Sequence, residues 1–256
     1  MVKEFISQLP PDKLSPFAKH PYRVREDAAM DELVESIRVH GILSPMLARP
    51  KGEGYELVSG HRRRLAAQKL GLPTVPVLVR EMSDDEAVIL MVDSNLQREN
   101  LLPSEKAFAY KMKLEAMNRQ GRRTDLTSTT VVPKFRSNEV IGKESGESRE
   151  TVRRYIRLTN LVPELLDMVD EKKIAFNPAV ELSYLDESQQ RDFLEAMNDT
   201  QNAPSLSQAQ QLKKIAQQGE FSYEKAFDVM GQEKRSEKDT VTIKNETLRK
   251  YFPRSY

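Results

Sequence analysis

Three consecutive arginines stand where the residue pattern predicts that a helix begins. The run Gly60, His61, Arg62, Arg63 and Arg64 follows a predicted strand and opens a predicted helix. A helix N-terminus already carries unpaired N–H groups and partial positive charge, so arginines there are unfavourable unless an anion shares the site. Glycine lets the backbone turn tightly and approach a ligand. The run therefore favours a bound di- or triphosphate; the alternative is a solvated basic helix start, or arginines that serve carboxylates elsewhere.

A second polar group ends a later predicted helix. It consists of Ser94, Asn95, Gln97 and Arg98. Amide side chains at a helix end can bind a nucleotide, a metal-bound water or the free carbonyl groups of the helix itself. The residues alone leave these alternatives open.

Residues 141–156 fit a helix-turn-helix. Gly142 lets two short helices touch, Gly146 makes the turn, and Ser148 caps the second helix. Ile141 and Val152 are expected to pack inward. The alternative is an ordinary helical hairpin with a charged solvent face.

The outward face of this second helix is predicted to be an arginine stripe that meets DNA. Arg149, Arg153 and Arg157 recur at every fourth position, and Glu150 is expected to pair with Arg154. Arginine binds guanine edges in the major groove or neutralises phosphates. The candidate DNA-binding residues are Ser148, Arg149, Thr151, Arg153, Arg154 and Arg157.

The elements that would position these residues form two parts. Hydrophobic periodicity predicts a small unit of helices and strands over the first hundred residues, and helices alone after Pro103. In the first part, helices are expected at residues 28–40, 61–70 and 83–97, and strands at 44–48, 55–58 and 75–79. In the second part, helices are expected at residues 104–119, twice within 138–158, and at 163–172, 177–185, 187–198 and 205–217. Residues 1–26 read as irregular, and Pro76 suggests an edge strand or a strand start.

The fold class is therefore α+β: a small mixed α/β N-terminal domain followed by an all-α domain. The predicted boundaries are 1–102 for the first domain and 103–218 for the second, with the helix-turn-helix at about 138–158. Residues 219–256 form a charged, weakly periodic C-terminal segment in which 240–243 are a candidate strand. Residues 120–136, rich in Ser, Thr and Arg, are predicted to be a loop.

Composition limits the class of protein. The chain has 256 residues, 38% of them hydrophobic and 31% charged, so it can bury a core and stay soluble. It lacks cysteine, which excludes disulfides and thiolate metal sites, and its three histidines are far apart in sequence. Net charge is only +1, but residues 119–157 hold 10 basic and 5 acidic residues. The first residues lack the build of a signal peptide and no apolar run has membrane length, so a cytoplasmic protein without a membrane partner is expected.

Four segments together resemble the ParB family. Residues 60–67 resemble its G-E-R-R-x-R-A box, and residues 95–98 resemble its E-N-x-Q-R box. Upstream, residues 20–25 are similar to N-P-x-Q-P-R, and residues 41–45 resemble G-I-x-Q-P. Order and spacing agree over roughly residues 14–101, and residues 138–158 resemble the family's central domain.

This resemblance implies a fold that binds CTP with Mg²⁺. Arg62 and Arg63 would hold the triphosphate, Gly60 would allow close approach, and Asn95 would face the magnesium. Gln97 and Arg98 would support the phosphates or couple them to the next domain, and residues 41–45 would border the base. The full set implied for the nucleotide is Gly41, Ser44, Pro45, Gly60, His61, Arg62, Arg63, Ser94, Asn95, Gln97 and Arg98.

Two positions depart from the family pattern. The glutamate that follows the glycine is His61 here, and the glutamate that precedes the asparagine is Ser94. A neutral histidine and a serine cannot replace two carboxylates as base or metal ligand. We therefore expect CTP binding with slow or absent hydrolysis.

The resemblance predicts a partition protein. It would bind a centromere-like inverted repeat in double-stranded DNA as a homodimer, close as a CTP-responsive clamp, and meet a ParA-type ATPase through about residues 1–15. The replicon is left open among chromosome, plasmid and mobile element. For the C-terminal segment two alternatives are open: a truncated dimerisation region, or a chain that dimerises differently. The alternatives are a ParB-like transcription regulator and, less favoured, a ParB-like nuclease.

Overall fold

The structure is a computed structural model that describes residues 4–18, 20–24, 26–96, 98, 101–125 and 134–232, with the backbone alone for 121–125 and 134–136. The N-terminal part contains a five-stranded sheet of order β1-β5-β3-β4-β2. Its strands are β1 (Glu4–Leu9), β2 (Leu14–Pro16), β3 (Met46–Lys51), β4 (Gly54–Ser59) and β5 (Val75–Arg80). The pairs β1/β5 and β3/β4 are antiparallel, whereas β2/β4 and β3/β5 are parallel.

Three helices complete this part: α1 (Ala28–His40), α2 (His61–Lys69) and α3 (Asp84–Leu96). The side chains of Met46, Leu57 and Val77 are fully buried and pack together with Ala67 of α2. Val58 packs instead with Met91 and residues of α3. Both faces of the sheet are thus covered near the ends of β4 and β5, from which α2 and α3 begin.

One expectation for this part was wrong, and of the two alternatives for Pro76 the strand start is observed. Residues 1–26 were predicted to be irregular, yet β1 and β2 form the two edges of the sheet. The proline-punctuated local sequence does not indicate these strands, which form because β1 pairs with β5 and β2 pairs with β4. Strand β5 lies inside the sheet, so Pro76 does not mark an edge. Pro76 is instead the second residue of β5, ahead of the first β3 pair at Val77, where a missing N–H does not break the ladder to β3.

The rest of the described chain is helical. Its helices are α4 (Pro103–Asp125), α5 (Lys134–Ser145), α6 (Arg149–Leu158), α7 (Pro163–Asp170), α8 (Phe176–Leu182), α9 (Glu187–Thr200), α10 (Leu206–Gln217) and α11 (Tyr223–Gly231). Leu158, Leu165, Phe193 and Leu212 are fully buried in one shared core. The predicted helices are confirmed, and the fold class α+β is confirmed with them. Among these helices, none has the length and apolar character needed to cross a membrane.

Helix α11 was not predicted. Its Ala226, Val229 and Met230 are buried in the helical core and pack near Phe193 of α9. Nine residues are too few for the 3.6-residue period to stand out in a charged segment. The loop predicted at residues 120–136 is contradicted at both ends, because α4 continues to residue 125 and α5 begins at residue 134. The middle of that loop and the candidate strand at residues 240–243 lie outside the described residues.

Helix α4 joins the two parts. Its Arg119 Nε donates to Asp85 of α3 at 2.7 Å, and its Lys113 bonds both Asp93 of α3 and Glu144 of α5. At its start, Ser104 donates its N–H and hydroxyl to the carboxylate of Asp170. The helix that carries the second polar group and the first helix of the helix-turn-helix are therefore both fixed to α4.

Candidate nucleotide-binding and DNA-binding sites

The start of α2 needs a glycine for two physical reasons. Gly60 has a φ of +105°, a left-handed conformation that other residues rarely adopt. A Cβ atom there would also lie 2.6 Å from Cγ of Met46, inside contact distance. The tight strand-to-helix turn predicted from the sequence is present, and it packs against β3.

Arg63 connects the start of α2 to the turn before β3 through hydrogen bonds. Its guanidinium donates to the carbonyl oxygens of Ser44 and Pro45, the latter at 3.0 Å. Burial lowers the pKa of Arg63, because carbonyl oxygens compensate a buried charge less well than water does. Gly41, with a φ of +68°, ends α1 just before this turn. The predicted base-bordering residues therefore lie beside a predicted phosphate-binding arginine.

The other two arginines of the run bind protein groups. Arg62 forms a 3.3 Å ion pair with Asp27, the N-cap residue of α1, and its Nε is buried without a hydrogen-bond partner. Arg64 donates to the carbonyl of Pro11 at 3.1 Å. Part of the alternative interpretation, arginines that serve groups elsewhere in the fold, is thus observed as well.

His20, Tyr22 and Arg98 complete a cluster around His61. The rings of His20 and His61 are 3.9 Å apart between centroids, and the Arg98 guanidinium carbon lies 6.0 Å from the Tyr22 ring centre. Burial, together with His20, Arg64 and Arg98, lowers the pKa of His61 to about 3. Burial also lowers the pKa of Arg98, and the nearby charge of Arg62 lowers it further. His61 is therefore neutral near pH 7, and the cluster is a partly buried, electropositive site.

Sequence reasoning did not single out His20 and Tyr22 as site residues. Both belong to the divergent segment at residues 20–25, and that resemblance was the signal that could have found them. Neither residue type at that spacing indicates phosphate binding by itself.

Ser94 and Asn95 turn their polar groups toward their own helix. The Asn95 amide nitrogen donates to the carbonyl of Met91 at 2.7 Å, and the Ser94 hydroxyl donates to the same oxygen at 2.9 Å. Asn95 is buried. The helix-carbonyl alternative left open by the sequence is therefore observed for both side chains. Gln97 lies outside the described residues.

The described residues contain no group of three or more His, Asp or Glu side chains arranged to hold a metal ion. The amide oxygen of Asn95 is a hard donor of the kind that suits a cation such as Mg²⁺. A magnesium ion there would depend mainly on phosphate oxygens and water for its coordination.

The helix-turn-helix has the predicted close contact. A Cβ atom on Gly142 would lie 2.6 Å from the backbone oxygen of Glu147, and Gly146 has a φ of +71°. Ser148 caps α6 by accepting the N–H of Thr151 at 3.0 Å. Val152 of α6 is fully buried, as predicted, together with Ile141 of α5.

The predicted arginine stripe divides in two. Arg149 and Arg153 are exposed, and Arg153 pairs at 3.3 Å with Glu150, which was expected to pair with Arg154. Arg157 instead donates to the carbonyl of Ser183 at 3.1 Å, and its guanidinium carbon lies 3.7 Å from the Tyr184 ring centre.

Arg154 also faces helix α8. It bonds the side chain of Asn177, and its guanidinium carbon lies 5.1 Å from the Phe176 ring centre. Helix α8 packs beside the C-terminal half of α6, and the local sequence of α6 carries no sign of that neighbour. A DNA contact for Arg154 and Arg157 remains a prediction.

Two family models match the chain: the ParB N-terminal domain over residues 1–96 and the ParB HTH domain over residues 134–218. The Thermus thermophilus chromosome-partitioning protein Spo0J is 35% identical over 181 residues, which cover 71% of this chain and 61% of the relative. A Bacillus cereus nucleoid occlusion protein is 32% identical over 174 residues, which cover 68% and 54% respectively. The chain thus spans about three fifths or less of the length of these relatives.

The fold is also similar to a solved structure. A Pnob8-like ParB-N domain has a TM-score of 0.52 at 16% identity, with 90% of this chain and 99% of that chain covered. At that identity the likeness shows the fold.

Substituting Gly142→Ala should destabilise the protein by about 1–3 kcal/mol, because a backbone oxygen cannot rotate away from the new methyl group. Urea unfolding at pH 7.5 measures the change. Gly231→Ala is the matched control, since a Cβ on Gly231 meets nothing within 4 Å. Equal stabilities for the two variants would contradict the close helix contact.

Acidification should destabilise the protein through His61. Its pKa is about 3 in the folded state and 6.5 in the reference state, so below pH 6.5 the unfolded chain binds the extra proton and stability falls as pH falls. From pH 7.5 to pH 5.0 this group should remove about 2 kcal/mol.

The measurement is the urea midpoint at both pH values for the wild type and for His61→Gln, which cannot titrate. His40→Gln, at an exposed ring, is the control. The expectation fails if His61→Gln loses as much stability on acidification as the wild type.

Proposed function

We propose that this chain, which belongs to the ParB family, is a sequence-specific DNA-binding partition protein that responds to CTP. One observation carries the proposal: the same helix α4 fixes both the helix that ends beside the electropositive cluster and the first helix of a close-packed helix-turn-helix. A ligand at the first site can thereby alter the second. The DNA role also agrees with the partition role named for the Thermus thermophilus relative.

The nucleotide part of the proposal rests on unsatisfied positive charge. Burial lowers the pKa of Arg63 and Arg98, and Nε of Arg62 has no hydrogen-bond partner. A polyphosphate would supply acceptors to these groups at a helix N-terminus. CTP is the triphosphate that the family resemblance implies. Asn95 would face the magnesium ion that accompanies it.

The DNA part rests on the N-terminal half of α6. Ser148 fixes the start of that helix, and Arg149 and Arg153 are exposed on it. A helix that presents its first turns in this way suits the major groove, and a homodimer would read an inverted repeat with two such helices. Closure of two N-terminal parts over DNA would make the clamp.

A ParA-type ATPase is the proposed protein partner, through the segment that contains β1. This strand lies at the edge of the sheet, and its Phe5 and Ile6 are 53% and 66% exposed. An edge strand with exposed apolar side chains can receive another chain.

The Bacillus cereus relative favours a second candidate function, nucleoid occlusion. Its name gives that role, and its sequence identity to this chain, 32%, is close to the 35% of the Thermus thermophilus relative. Two measurements distinguish partition from nucleoid occlusion: mapping the DNA that the protein binds in cells, and counting cells without DNA after the gene for this protein is deleted. A partition protein spreads from a centromere-like site, and its loss gives such cells. Loss of an occlusion protein places division septa over DNA.

The decisive test of the proposal is binding of fluorescent DNA and of CTP by the full chain. Arg153→Ala should weaken specific DNA binding by about 5- to 150-fold, which corresponds to 1–3 kcal/mol for a base contact. Arg191→Ala is a matched control, because Arg191 is also exposed and paired within its helix, to Glu187 of α9. Equal effects of the two substitutions, or no nucleotide binding at millimolar concentration, would contradict the respective half of the proposal.

Bound CTP should be hydrolysed slowly or not at all. Neutral His61 offers no carboxylate at the helix start, and the Ser94 hydroxyl is bonded to Met91. Phosphate release with specific DNA present should be at, or slightly above, the level of buffer. The double variant His61→Glu with Ser94→Glu should raise it, whereas turnover by the wild type at the rates typical of the family would overturn the expectation.

A further inference from the structure

The pair of histidines at the start of α2 has an unusual hydrogen-bond state. His20 Nδ1 lies 2.8 Å from the carbonyl oxygen of Tyr22. A carbonyl oxygen only accepts, so Nδ1 carries the hydrogen, and in the neutral ring Nε2 is a bare acceptor. That Nε2 atom is buried and has no hydrogen-bond partner.

We propose that His20 takes up a proton when a nucleoside triphosphate binds, and that its Nε2–H then donates to a phosphate oxygen. This inference rests on the proposed nucleotide binding and deepens it, because it makes the affinity for the triphosphate depend on pH. The neutral ring has a single N–H, on Nδ1, and donates it to the Tyr22 carbonyl, so without protonation His20 has no hydrogen to donate to an anion.

The geometry places this ring at the proposed phosphate site. The ring of His20 packs against that of His61, the first residue of α2, with the ring centroids 3.9 Å apart and the ring planes tilted by 45°. His61 Nε2 lies 3.5 Å from the N–H of Phe17, which donates to it, so a second ring is also held in one orientation. Two positively charged rings at this separation would repel each other, so we expect only one of the two histidines to be protonated at a time.

Burial and the charges around His20 together disfavour the protonated ring when no ligand is bound. Burial is the main cause of its lowered pKa and Arg98 adds to it, whereas the Tyr22 carbonyl and Glu105 of α4 oppose the change. His61 is next to it, and Arg64 and Arg98 act on that ring. The remaining charged groups lie with His20 around a cavity of about 650 Å³, namely Arg23, Lys111 and Glu115.

A purely structural role accounts for His20 less well. A buried nitrogen without a partner destabilises a fold by about 1–3 kcal/mol, and a structural histidine would be expected to satisfy both ring nitrogens. The neighbouring Nε of Arg62 is also unsatisfied. The Arg62 Nε–H is a donor without an acceptor, and His20 Nε2 becomes a second such donor once the ring is protonated, so phosphate oxygens would be acceptors for both.

The sign of the linkage follows. A ligand that raises the pKa of His20 binds more tightly as pH falls, and it takes up protons from the solvent on binding. Protonation of the terminal phosphate, with a pKa near 6, weakens binding at lower pH. The effect of His20 is therefore measured between about pH 7 and pH 8.5, where the phosphate contributes least.

The experiment is calorimetric titration of CTP into the full chain at pH 7.2, in buffers of different ionisation enthalpy. The wild type should take up a substantial fraction of one proton per bound nucleotide. His20→Gln, whose amide nitrogen can donate without titrating, should lose that uptake and the rise in affinity toward lower pH. His40→Gln should match the wild type.

Nuclear magnetic resonance of the wild-type imidazole nitrogens gives an independent readout if the variant does not fold. With three histidines in the chain, the His20 Nε2 signal should move from the bare to the protonated position when CTP is added. CTP binding without proton uptake, or uptake unchanged in His20→Gln, overturns this inference alone. If neither CTP nor inorganic triphosphate binds, the proposed nucleotide function fails and this inference fails with it.

Discussion

A buried lysine connects the N-terminal α/β part of the molecule to its helical part. Lys113 of α4 is 2% exposed and bonds Asp93 of α3 and Glu144 of α5. A buried cation that loses a partner is strongly destabilising, so both helices are constrained to stay against α4. Asp93 lies two residues before Asn95, and α5 is the first helix of the helix-turn-helix. Lys113 thus connects the helix that carries Asn95 to the first helix of the helix-turn-helix, and the proposed response of DNA binding to a nucleotide would use this connection.

The electropositive cluster differs in kind from the other buried charges. Arg49 of β3 is buried against the carboxylate of Glu56 at 2.6 Å and pairs with Asp84, so its charge is compensated inside the protein. At the start of α2, Arg63 meets carbonyl oxygens and Arg98 meets an aromatic ring. Partial dipoles and ring faces stabilise a cation less than a carboxylate does. This difference supports the proposal that an anionic ligand binds at the start of α2, where, within the described part of the chain, only Arg62 among the three arginines of the run has an ion pair, with Asp27.

The sequence predicted the elements whose signals are local. Helix α1 lies at the predicted residues because Asp27 caps it and Gly41 ends it, and Gly142 and Gly146 predicted the helix-turn-helix. The missed elements depend on distant partners: β1 and β2 exist through pairing with β5 and β4. The same reason explains the site. Arginines at a helix start predicted an anion, but the tautomer of His20 depends on the Tyr22 carbonyl, and no sequence pattern encodes that bond.

Helix α8 and the residues that follow it hold the arginines of the C-terminal half of α6, whereas those of its N-terminal half are exposed. Arg154 and Arg157 lie over Phe176 and Tyr184, and Lys213 of α10 approaches the Tyr184 ring as well, 3.6 Å from its centre. Cations held on aromatic rings and hydrogen-bonded to α8 keep the C-terminal half of α6 from tilting. A helix fixed at that end, and capped by Ser148 at the other, presents its first two turns with little freedom. In the proposed DNA complex, a helix that is already fixed would lose little further backbone freedom when Arg149 and Arg153 meet base edges, so rigidity at one end of α6 would favour specificity at the other.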